Sequence, residues 1–206
     1  MQTKMLPIRD TALIHITNAA LDDAAQRAGE ALRCQPGCTE CCHGAFAINA
    51  LDAARLRTGL AYLQMENPAL AAAVAERARQ WVAKQAASFP GDVATGVLGT
   101  SEAEQKAFDD FANEPACPAL DPTTGRCALY AWRPMTCRVF GPPVRNEGGA
   151  LGHCELCFQG APTALVADCE MIVPHALEAA VLAEMHDDRQ TVVAFVLADA
   201  EPAASC

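Results

Sequence analysis

Aromatic residues make up only 5% of the 206 positions, and positive charge is also sparse, with 15 Lys and Arg against 25 Asp and Glu. The resulting net charge of −10 removes any general attraction to phosphate backbones or anionic lipid, so neither nucleic acid nor a membrane surface is an expected partner. Apolar runs are short as well, none reaching the roughly 18 residues of a membrane-spanning helix. The opening stretch, MQTKMLPIRDTALIHITNAA, has no basic leader followed by an apolar run and a small-residue cleavage site. The expected setting is therefore a soluble protein of the cytoplasm. No internal repeat is visible, and the only compositional bias is towards alanine.

What remains is a chain that is 51% hydrophobic, enough for one sizeable core over residues 1–206. Its patterning is mainly α, which predicts a small helical domain. Leu21, Ala25, Ala28 and Leu32 share one face of a helix over 10–32 that runs into the first cysteines. Asn49, with Asp52 three residues on, reads as the cap of a second helix whose face carries Leu56, Leu60 and Leu63. Asn67 and Pro68 start a third, with Leu70, Val74, Ala78 and Trp81 inward, and Ser101 with Glu104 has the spacing of a capping box ahead of Phe108 and Phe111. Residues 66–113 thus read as a helical insertion between two cysteine-bearing segments, 34–46 and 114–160, with a helical tail over 161–206. In the tail, Leu177, Val181 and Met185 mark a helix behind Pro174, whereas TVVAFVLADA is an apolar run of undecided type.

Eleven cysteines dominate the chemistry. In a reducing compartment clustered thiols serve as metal ligands or redox groups more often than as disulfides, and an odd count leaves one unpaired in any all-disulfide scheme. The stretch RCQPGCTECCHG holds Cys34, Cys38, Cys41 and Cys42, and the second segment holds Cys117, Cys127 and Cys137, then Cys154 and Cys157. Two or three residues between cysteines let a tight loop aim both sulfurs at one metal, and Gly37 supplies the bend. The vicinal pair Cys41–Cys42 does not suit one mononuclear ion, which points to two metal positions, a bridging thiolate or a multi-iron cluster. Cys169 and Cys206 stand outside the pattern.

The run CxxxCxxCC, followed by C-P-x-L-D and by G-R-C-x-L-Y-x-x-R-P-x-x-C-R-x-F, resembles the YkgJ-type cysteine-cluster proteins, described as zinc- or iron-chelating and related to flagellin lysine N-methylases. The resemblance spans about residues 34–157. It implies metal ligation by Cys34, Cys38, Cys41, Cys42, Cys117, Cys127 and Cys137, with Cys154 or Cys157 as the eighth ligand. In that family the final cysteine precedes Pro-Gly, a feature that CELCFQG lacks. Arg133 and Arg138 are placed to offset thiolate charge and to donate hydrogen bonds to sulfur.

The expected cofactor is zinc or iron, the iron in a 4Fe–4S cluster in one version; soft ligands exclude calcium and magnesium. His43 and His153 adjoin cysteines but read as neighbours of the ligands, and His15, His175 and His186 as ordinary helix residues. Tyr130, Trp132 and Phe140 are expected to roof the metal core, and the acidic residues elsewhere read as solvated helix faces.

No set of nucleophile, base and orienting group surrounds the cysteines, so no catalytic residues are assigned and an enzyme is the less favoured reading. Two alternatives stand beside structural metal binding. One is an S-adenosylmethionine-dependent protein lysine methyltransferase-like enzyme with an iron–sulfur cluster, for which Cys34, Cys38 and Cys41 have the C-x3-C-x2-C spacing of radical enzymes, although Glu40 stands where those carry an aromatic. The other is a metal carrier or buffer. A metal shared by the two segments would close a loop of more than seventy residues, so the metal-free protein is expected to be unfolded around the cluster.

Overall fold

Asn49 opens the helix around which the rest is arranged, its side-chain oxygen accepting from the Asp52 amide at 3.0 Å. The computed structural model describes residues 6–35, 37–146 and 148–199. Within them α1 spans Asp10–Ala28, α2 Ala50–Glu66 and α3 Pro68–Gln85, the last capped by Asn67. Helix α4, Glu102–Asp109, starts at the Ser101–Glu104 capping box. Short helices follow at α5 Met135–Val139, α6 Thr163–Asp168, α7 His175–Ala183 and α8 Val193–Ala198. The only strands among the described residues are three antiparallel pairs of two residues each: β1 Gly91–Asp92 with β2 Val97–Leu98, β3 Leu120–Asp121 with β4 Arg126–Cys127, and β5 Val144–Arg145 with β6 Leu151–Gly152. The protein is mainly α. No helix among the described residues is long and apolar enough to cross a membrane.

Helices α2, α3 and α8 pack together over Leu56, Leu60, Val74, Ala78, Val196 and Leu197, all nearly or fully buried. Each such leucine or valine contributes on the order of 1.5–3 kcal/mol by leaving water. The undecided run near the C-terminal end is α8, and it lies on this core from several sides at once, which is why its residues show no period. Residues 66–113, read as an insertion, supply Ala71, Val74 and Ala78 to this core. Helix α1 buries Leu13, Thr17, Ala24 and Ala28 in place of the expected Leu21 and Ala25 face, because its inner side meets α5, α6 and α7.

Two acidic residues depart from the solvated-face expectation. Asp10 and Asp52 are buried and flank Arg55, itself 1% exposed, whose guanidinium donates to Asp10 Oδ1 at 2.8 and 2.5 Å and to Asp52 Oδ1 at 2.5 Å. Asp52 also accepts from the Met135 amide at 3.0 Å, tying α2 to the start of the helix that bears Cys137. Burial pushes the Asp52 carboxyl up to about 6, against the pull of Arg55 and that amide.

Candidate metal centre

A 3-10 turn over Glu40–Cys42, closed by the Cys42 amide donating to the Thr39 carbonyl at 2.8 Å, redirects the chain between Cys38 and Cys41. The first cysteine segment therefore serves two neighbourhoods. Cys41 and Cys42 join the second segment through the Cys117 amide, which donates to the Cys42 carbonyl at 2.7 Å, beside the His43–Ala116 bridge. Cys127 sits opposite Leu120 in the β3–β4 hairpin, Cys137 in α5, and Cys117 and Cys127 both rest on the α2–α3–α8 core.

Within this group of five, the Cys42 thiol donates to Cys41, which lowers Cys41 to about 6 and raises Cys42 far above the ordinary thiol. Burial pushes Cys117 up to about 12 and raises Cys127 and Cys137, with Cys41 adding its charge to all three. Nearby backbone amides oppose that push, those of Ala119 and Leu120 at Cys117 and that of Leu129 at Cys127. Amides aimed at sulfur favour the thiolate form that binds metal.

Cys34 and Cys154 belong elsewhere. The Cys157 sulfur accepts from the Arg33 amide at 3.4 Å and raises both of their thiols, and the charge of Cys38 acts on both. Partial burial, then Cys157, pushes the Cys34 thiol, which still reaches the surface, up to about 12; burial also raises Cys154, and the Leu156 amide opposes it. Cys154 and Cys157 lie under Ala28, Phe158 and Cys169. The first two of the C-x3-C-x2-C cysteines thus face this group and the third faces the other.

Arg133 stands by the five-thiol group, its charge drawing Cys41 and Cys127 down while its guanidinium lies 3.9 Å from the Tyr130 ring centroid. Arg138 has a different task from the one expected. Its donors go to the Arg133 carbonyl at 3.1 Å, the Ala131 carbonyl at 2.5 Å and Asn18 Oδ1 at 3.0 Å, so it braces the loop and meets no sulfur. Of the expected aromatic roof, Trp132 packs against the helical core, while Tyr130 and Phe140 are largely exposed. His43 Nδ1 faces the Glu114 carbonyl at 3.3 Å and His153 Nδ1 the Cys154 carbonyl at 3.0 Å. Cys169 is fully buried among apolar side chains, and Cys206 lies outside the described residues.

All ten described cysteines are free thiols. No three His, Cys, Asp or Glu side chains among the described residues already stand around one point as metal ligands do. The donor set itself, thiols held close together with amides and an arginine directed at them, suits a soft or borderline metal ion.

Residues 33–155 match the model of the CxxCxxCC family, described as "putative zinc- or iron-chelating domain", and since the match covers more than half the chain, the protein belongs to that family. Neither a curated protein nor a solved structure matches the chain significantly.

Proposed function

We propose that this protein holds zinc or iron through Cys34, Cys38, Cys41, Cys42, Cys117, Cys127, Cys137, Cys154 and Cys157. The observation that carries the reading is the approach of thiols from residues 34–42 and 117–157 without a disulfide among them, with the Arg33 amide donating to the Cys157 sulfur at 3.4 Å and the amides of Ala119, Leu129 and Leu156 acting on Cys117, Cys127 and Cys154. Thiolates alone suit zinc in a closed tetrahedral site or iron in an iron–sulfur cluster. When bound, the metal supplies cross-links between the two segments. The chain's own part is to bring the sulfurs together, to favour their deprotonation with amides and Arg133, and to cover Cys154 and Cys157 with Phe158.

A radical S-adenosylmethionine enzyme needs Cys34, Cys38 and Cys41 around one cluster, whereas Cys34 and Cys38 neighbour Cys154 and Cys157 and Cys41 neighbours Cys42 and Cys117. That favours a binding role over the methyltransferase-like alternative. A carrier or buffer differs from a structural site in releasing its metal readily.

Elemental analysis and an absorption spectrum of protein purified without oxygen test the reading. Colourless protein with stoichiometric zinc, or coloured protein with iron and acid-labile sulfide, is the expected result. Absence of both metals from protein with reduced thiols, and no uptake on adding them back, would overturn it.

A further inference from the structure

On the reading that these thiolates bind metal, we infer that the nine cysteines form two separate centres, and that Cys34, Cys38, Cys154 and Cys157 constitute a four-thiolate zinc site of their own. The five remaining thiols, Cys41, Cys42, Cys117, Cys127 and Cys137, make the other.

Three observations carry the division. First, the Cys157 sulfur is the meeting point of the smaller set, accepting from the Arg33 amide, next to Cys34 in the chain, at 3.4 Å and acting on both the Cys34 and the Cys154 thiols. Second, the chain is shaped to bring these segments together. The Cys154 amide donates to the Gly141 carbonyl at 3.2 Å, the Phe158 amide to the Ala31 carbonyl at 2.7 Å, and Gly141 leaves room for the Cys34 sulfur, which a Cβ there would meet at 2.4 Å. Third, the two sets rest on different cores. Cys117 and Cys127 pack on α2, α3 and α8, whereas Cys154 and Cys157 pack with Ala28, Phe158, Leu165 and Val166 at the end of α1 and on α6.

The spacing of the smaller set fits its chemistry. Cys34 and Cys38 enclose three residues, and Cys154 and Cys157 two, the latter closed by the Cys157 amide donating to the Cys154 carbonyl at 2.9 Å. Two such short loops offering four sulfurs and no histidine are the ligand plan of a structural zinc ion. Cys157 lies two residues beyond the family match and belongs to the set with Cys154, so both of the candidate eighth ligands are used. Rotation of thiol side chains within each set completes the ligation.

The test is a chelator titration of the metal-loaded full chain, with thiol alkylation mapped by mass spectrometry and metal counted at each step. The expected result is release in two stages, one exposing Cys34, Cys38, Cys154 and Cys157 together with loss of one zinc, the other exposing Cys41, Cys42, Cys117, Cys127 and Cys137. Exposure of all these cysteines with the loss of a single metal or cluster overturns the division while leaving metal binding intact. Iron alone, with no zinc in the protein, overturns the zinc assignment. Protein that binds no metal at all removes the underlying reading and this one with it.

Should both stages coincide, Cys38→Ser decides, because Cys38 is a half-buried loop residue whose loss leaves both cores packed. Loss of one zinc with Cys117, Cys127 and Cys137 still protected supports two centres, and loss of all protection from a chain of unchanged circular dichroism overturns them.

Discussion

Gly141 and Cys34 are fitted to one another: a Cβ on Gly141 would lie 2.4 Å from the Cys34 sulfur, and the glycine's φ of +129° is a conformation that other residues resist. Gly141→Ala therefore displaces the thiol and strains the backbone. The expected cost is about 1–3 kcal/mol of stability, together with faster alkylation of Cys34 in the metal-loaded protein. Alkylation kinetics unchanged from the parent protein would show that the glycine does not position this cysteine.

Among the described residues, Arg55 is the only counter-charge the ion-pair geometry gives to two buried carboxylates, Asp10 and Asp52. Its replacement by Met is expected to cost about 3–5 kcal/mol, because both acids are then buried uncompensated. Arg55→Lys recovers only part of this, since an ammonium cannot reproduce the three hydrogen bonds of the guanidinium. Urea unfolding of the two variants against the parent measures the difference.

The Asp52 carboxyl, raised from 3.8 to about 6 by burial, binds its proton more tightly in the folded than in the unfolded chain. Its contribution to stability is full below pH 3.8 and is lost as pH rises through about 6. The total comes to about 3 kcal/mol at 1.36 kcal/mol per pH unit. Asp52→Asn should flatten this part of the stability profile. Comparing parent and variant at each pH cancels the proton release that metal binding brings to both, and parallel profiles would show an Asp52 that ionises normally.

Metal removal acts on segments with little regular structure of their own. A chelator is expected to lower the melting temperature and to speed hydrogen exchange over residues 32–42 and 114–160, while α2 and α3 stay protected by their apolar packing. An unchanged melting temperature and exchange pattern would count against a folding role for the metal.

Much of the helical frame could be read from the chain, because caps are local. Asn49, Asn67 and Ser101 each bind an amide three residues on, within reach of sequence spacing alone. The family resemblance was equally legible in the cysteine pattern. The division of the thiols was not, since it depends on the turn at Glu40–Cys42 and on contacts such as Arg33 with Cys157 across 124 residues. The pairing of one short cysteine loop near residue 34 with another near 154 was the available signal. The role of Arg55 is hidden for a similar reason, since Asp10 reaches it from another helix 45 residues away. For Arg138, proximity to a cysteine in sequence does not say which acceptor claims the guanidinium.

The bridge between Ile48 and Thr191 and the seating of α8 on α2 and α3 bear on how the protein is made. On the ribosome, every thiol of both sets emerges before the helix that completes the main core. A nascent chain consequently displays the nine clustered thiols, and Cys169 besides, while its largest apolar surface is still uncovered, and early metal capture would shield the clustered thiols from oxidation and the surface from misassociation.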